Sequence, residues 1–154
     1  MLEQAWSTSG VGQVLTTFIA VAGTLIGSLL GYQFQKRVAD RSERRSAVLA
    51  FTAATNEFIR SQHDWWHRQY EEQNGSAHVA ARTEAFRIRG QAFQAVHQLR
   101  LLVPDDDLHA RAEQTIGMIS ALHRATDREE LRTKSVEARA SLNSFVVHAS
   151  AQIR

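Results

Sequence analysis

Between Glu3 and Lys36 the chain carries no charged side chain, whereas the rest of it is charge-rich. Val11 to Phe34 is an unbroken stretch of roughly 24 residues, about 36 Å long as an α-helix, somewhat more than the roughly 30 Å of a bilayer's hydrocarbon core. Its polar members are only Gln, Thr and Ser, which membranes tolerate, and a soluble bundle of this size would have to enclose the whole segment. The run therefore predicts a transmembrane helix over 11–34. Residues 1–10 form a short extracytoplasmic N-terminus, and 35–154 are a separate domain long enough for a modest core.

The flanking charges orient the span. Only Glu3 precedes it, while Lys36, Arg37, Arg41, Arg44 and Arg45 follow it against Asp40 and Glu43, and basic residues stay on the cytoplasmic side. A cleaved signal peptide would need a basic start, a shorter apolar run and a small-x-small cleavage site, so nothing is expected to be removed. The expectation is a single-pass protein of the cell membrane, N-out and C-in. Absence of cysteine agrees with a cytoplasmic domain without disulfides. The juxtamembrane cluster would attract anionic lipid head groups at about 1 kcal/mol per charge.

Within the span, the small residues segregate. At 100° per residue Gly12, Thr16, Ala20, Gly23, Gly27 and Gly31 gather on one side, with Thr17, Thr24 and Ser28 at its margin. Val14, Leu15, Phe18, Ala22, Leu25, Ile26 and Leu29 fall opposite. Helices in lipid associate by close backbone approach, which a Gly-x-x-x-Gly ladder permits, so Thr16, Ala20, Gly23, Gly27 and Gly31 form the candidate packing face. Its occupant would be a second copy of the span or another membrane protein.

Beyond the span, strand-like alternation is absent and the only proline stands at a break, so the domain is all-α. Breaks at Asn74-Gly75-Ser76, Val103-Pro104 and Ala125-Thr126 divide it into four helical segments of an antiparallel bundle. The first continues from the span to about Gln73 and presents Val48, Phe51, Phe58 and Trp65 inward, with Thr55 and Gln62 between them. The second, about 77–102, turns Phe86, Phe93 and Val96 inward. The third starts at Pro104 to Asp107, with proline in its first turn, and buries Leu108, Ala112, Ile116, Ile119 and Leu122. The fourth opens on a capping box over Thr126 to Glu129 and buries Leu131, Ala138, Leu142, Phe145 and Ala149.

One string suggests chemistry. In His63-Asp-Trp-Trp-His67 two histidines at i and i+4 share a helix face beside an acid, an approximation to the HExxH pattern of zinc hydrolases. Asp64 is shorter than the Glu such enzymes use, and no third ligand is placed, although His78, His97, His109, His123 or His148 would have to supply one. No metal site and no catalytic residue are assigned. Trp65 and Trp66 are read as packing at the bundle end, with one of the pair facing a partner. Arg82, Arg87, Arg89 and Arg100 give the second helix a basic face, read as solvated and paired with Asp105 to Asp107 and Glu113; direct nucleic-acid binding is not expected. No Gly-rich phosphate loop, nucleophile elbow or Cys cluster occurs, so no cofactor is assigned.

The glycine-ladder span followed by "FQKRVADRSERR", then "VHQLRLLVPDDDLHARAEQT" with its "LLVPDDDLHARA" corner, and the closing "LRTKSVEARASLNSFVVHAS", resembles the small KilB-type plasmid spread proteins of actinobacteria. The resemblance implies a membrane protein that aids intercellular spread of conjugative plasmids beside a DNA translocase, with no enzymatic site. "HDWWH" is not one of its marks. Two further readings stand beside a non-enzymatic, membrane-anchored interaction module: a membrane-tethered metal-dependent hydrolase using His63 and His67, and a lipid- or DNA-binding anchor.

Overall fold

A computed structural model describes residues 9–71 and 75–152, with side chains from residue 31 onward. Four α-helices make up almost all of it: α1 Ser9–Glu71, α2 Ser76–Leu102, α3 Asp106–Ser120 and α4 Arg128–Gln152, with a 3-10 turn over Leu122–Arg124. No strand occurs among the described residues. The all-α reading and the positions of the breaks are thus met.

The chain divides into two compact units, Met1–Asp40 and Arg41–Arg154. Among the described residues no helix is long and apolar enough to cross a membrane. The span expected over 11–34 lies, as far as residue 30, outside the residues whose side chains are described, and Thr16, Ala20, Gly23 and Gly27 lie there with it. Gly31 is exposed, and a Cβ added to it would meet nothing within 4 Å, so no contact among the described residues calls for a glycine. Lys36, Arg37, Arg41 and Arg45 are exposed and Arg44 is half-buried.

The second unit is the bundle. α1 and α4 run antiparallel, because Phe51 meets Phe145, His63 meets Ser135 and Trp66 meets Ala125 at the start of α4. α3 and α4 are antiparallel too, with Asp105 on His148, Arg111 on Ser144 and Thr115 on Ser141. The core is contiguous and includes Phe51, Phe58, Ile59, Leu99, Leu108, Ile119, Leu122 and Phe145. α3 and α4 bury every residue expected of them.

α1 departs from expectation at one position and α2 at two. On α1 the buried tryptophan is Trp66, 3% exposed, whereas Trp65 is only half-buried. On α2, Val96 is buried, but Phe86 and Phe93 are 50% and 37% exposed. The inner face is made by Ala81, Ala85, Ile88, Ala92, Ala95, Val96 and Leu99. Short side chains let α2 approach its neighbours closely, and the two phenyl rings lie outside under the guanidinium groups of Arg82 and Arg89, 5.8 and 5.5 Å from the ring centres.

Capping chemistry fixes the two corners. Val103 is extended, as a residue before proline prefers, and Pro104 stands outside α3 rather than in its first turn, because Asp105 takes the cap. Its Oδ1 accepts the Leu108 N–H at 2.9 Å. At α4 the cap is Asp127, not Thr126: its Oδ1 accepts the Glu130 N–H at 2.8 Å. Glu130 reaches back to accept from both the backbone N–H and the hydroxyl of Thr126 at 2.6 Å. The Lys134 ammonium first, then Thr126, hold the Glu130 carboxyl down at about 2.

Candidate functional site

The His63–Tyr70 end of α1 packs where the 3-10 turn leads into α4. Trp66 donates its indole N–H to the Ala125 carbonyl at 2.7 Å, and the Tyr70 hydroxyl donates to Thr126 O at 2.8 Å. These bonds tie the loop before α4 to α1. Trp66 is therefore an internal anchor and not the partner-facing aromatic that its position beside Trp65 suggested. Trp65 stacks on His123, ring centres 4.1 Å apart and planes 10° apart, and touches Phe86 at 5.7 Å. The buried Gln62 accepts from His123 Nδ1 at 2.9 Å.

His63 and His67 do not converge on a metal. The Ser135 hydroxyl spends its single proton on the Leu131 carbonyl at 2.6 Å, so its contact with His63 Nε2 at 2.7 Å has the imidazole as donor. A nitrogen carrying that proton is not free to ligate. Among the described residues no group of three or more His, Cys, Asp or Glu could hold a metal ion, and His78, His97, His109, His123 and His148 bring no third ligand. Instead both histidines line an open groove of about 380 Å³ between α1 and α4 together with Arg128, Arg132 and Arg139. That surrounding repels a cation. Nothing in the sequence of α1 announced it, since Ser135 lies 72 residues further along the chain.

The basic face of α2 resolves into pairs. Arg87 binds Glu84, Arg100 binds Glu113 as expected, and Arg82 and Arg89 lie over phenyl rings. Asp105 and Asp107 do not serve these arginines: Asp105 contacts His148, and Asp107 contacts His148 and Arg111.

Two imidazoles here are held below their ordinary value of 6.5. His63 is lowered by burial first, then by the positive charges of His67 and Arg139. Burial also leads for His123, followed by Arg124. Both favour the neutral form in the folded chain, so on acidification through 6.5 the unfolded chain takes up protons first and the fold loses stability. The melting temperature should fall between about pH 7.5 and pH 5, and His123→Gln should shrink that fall. Equal melting temperatures at the two pH values would contradict it. Asp105 and Glu130, lowered by their hydrogen bonds, lose their contributions only at more acidic pH.

The fold and the groove together define a class: a helical-bundle domain that carries a positively lined cleft between its first and last helices. A family model described as KilB plasmid transfer protein matches residues 45–153, nearly all of the bundle. The chain belongs to the KilB plasmid transfer protein family. No curated protein and no solved structure matches it.

Proposed function

We propose that the chain is a non-enzymatic accessory of plasmid transfer, held at the membrane by residues 11–34 and presenting the bundle to partners in the cytoplasm. The observation that carries this reading is the family match over the bundle, set directly after an uncharged segment long enough to span a bilayer and a cluster of basic residues. The α1–α4 groove supports an interaction role, since it concentrates arginines and, among the described residues, lines no carboxylate that could orient His63 behind its contact with Ser135.

Four measurements test the reading. The full chain should sediment with membranes and resist alkaline extraction, and a reporter fused after Arg154 should be active only in the cytoplasm. Recovery of the full chain in the soluble fraction would remove the anchor. Gly27→Leu places a branched side chain in the candidate Gly23, Gly27 and Gly31 seam and should abolish cross-linked oligomers, whereas Leu25→Ile on the lipid-facing side should leave them intact. Oligomers that survive Gly27→Leu would show that the ladder is not a homotypic seam. Loss of the gene should lower plasmid spread between mycelia or cells, and transfer at the parental frequency without it would sink the accessory role.

A further inference from the structure

The groove between α1 and α4 has a chemistry of its own. Arg128, Arg132 and Arg139 stand on α4 at intervals of four and seven residues, the spacing of one helical face, and span about 16 Å of axis. His63 and His67 face them from α1, and among the described residues no carboxylate lines the groove. Among the described residues Arg132 is the one of the three arginines that pairs, to Glu129 at 3.3 Å with both side chains about three-quarters exposed, a contact worth little. Between the arginines lie Leu131, which is core, and Val136, which is 63% exposed. An apolar edge beside a row of arginines is the complement of an amphipathic helix bearing acidic residues.

We infer that this groove docks an acidic amphipathic helix of a partner protein, lying along α4 with its carboxylates against Arg128, Arg132 and Arg139 and its apolar edge on Val136. The inference rests on the interaction-module reading above and names the partner's chemistry. The width of the positive strip favours a helix over nucleic acid. Asp64 on α1 and Glu129 on α4 stand one residue from a lining histidine and a lining arginine, and Glu71 and Asp127 line the adjoining pocket that shares His67 and Arg128, so a body wider than one helix would meet carboxylates. A helix with its side chains is about 10–12 Å across and carries its charges on one face. A duplex presents phosphates all round and gains nothing from an exposed valine.

The test uses the full chain in non-ionic detergent and a fluorescent helical peptide of three heptads, each with one leucine and two glutamates on one face and alanine and glutamine elsewhere. Arg132→Glu with Arg139→Glu should weaken peptide binding at least tenfold, Val136→Asp should weaken it severalfold, and Arg60→Glu, an exposed reversal on α1 outside the groove, should leave it unchanged. A peptide with lysine for glutamate should not bind. The inference is overturned if the acidic peptide fails to bind, if the double reversal binds it as the parent does, or if a mixed-sequence duplex binds more tightly and is lost by the same reversals. Failure of the anchor reading looks different: the parent protein would leave the membrane fraction while its groove still bound the peptide.

Discussion

Trp66→Ala is expected to lower the stability of the bundle by about 3–5 kcal/mol, a large share of the whole for a domain of this size. The side chain is 3% exposed and fills the space between the end of α1 and the loop before α4. Its removal opens a cavity and also takes away the N–H that the Ala125 carbonyl accepts at 2.7 Å. The carbonyl is not left entirely bare, because the Tyr70 hydroxyl lies 3.3 Å away. Trp66→Phe narrows the comparison: it keeps a phenyl ring in the space and gives up the hydrogen bond, at about 1–2 kcal/mol, with a smaller cavity than alanine leaves. Chemical denaturation of the full chain followed by circular dichroism measures both, and a loss below about 1 kcal/mol for Trp66→Ala would contradict the anchoring role. The consequence reaches the groove, since Ala125 and Thr126 immediately precede the Asp127 cap that sets where α4 and its arginines begin.

The misplacement of the tryptophans has a geometric cause. A stripe read as Phe51, Phe58 and Trp65 repeats every seven residues, but an α-helix turns 3.6 residues at a time and drifts about 20° per heptad. By the second heptad the inward direction has passed to the next residue. Ile59, Gln62 and Trp66 are accordingly buried at spacings of three and four, and Trp65 moves to the margin. α3 was legible because its stripe is read in steps of three and four throughout, as in Leu108, Ala112, Ile116 and Ile119, and α4 because its stripe steps the same way from Ala138 to Leu142, Phe145 and Ala149. Phe86 and Phe93 mislead for a different reason: an arginine four residues before each can cover the ring from outside, and the alanines opposite are a weak signal of burial although they permit the closest approach. The groove could not be read from the sequence. His63 and His67 announce themselves as a pair, yet whether such a pair meets carboxylates and becomes a metal site, or meets arginines and becomes a seat for anions, depends on which helix folds against it.

Phe145→Ala is the second large loss, again about 3–5 kcal/mol, and it acts at the other end of the same helix pair. Phe145 and Phe51 are both fully buried, with ring centres 4.5 Å apart and planes tilted by 53°. Neither ring has a polar group to satisfy, so the cost is burial, packing and the favourable tilted contact between the aromatic edges and faces. Phe51→Ala should cost a similar amount, and the double variant should cost less than the two together by about 0.5–1.5 kcal/mol, because the second substitution removes a contact already lost. Strict additivity would mean that the rings merely share a core without supporting each other. The same variants bear on the groove. Docking of the acidic peptide requires α1 and α4 to stand side by side, so a Phe145→Ala protein brought to denaturant concentrations where the parent remains folded should lose peptide binding and helicity together. Its partition into membranes, if residues 11–34 hold it there, should not change, since that depends on the apolar segment and not on the bundle's core.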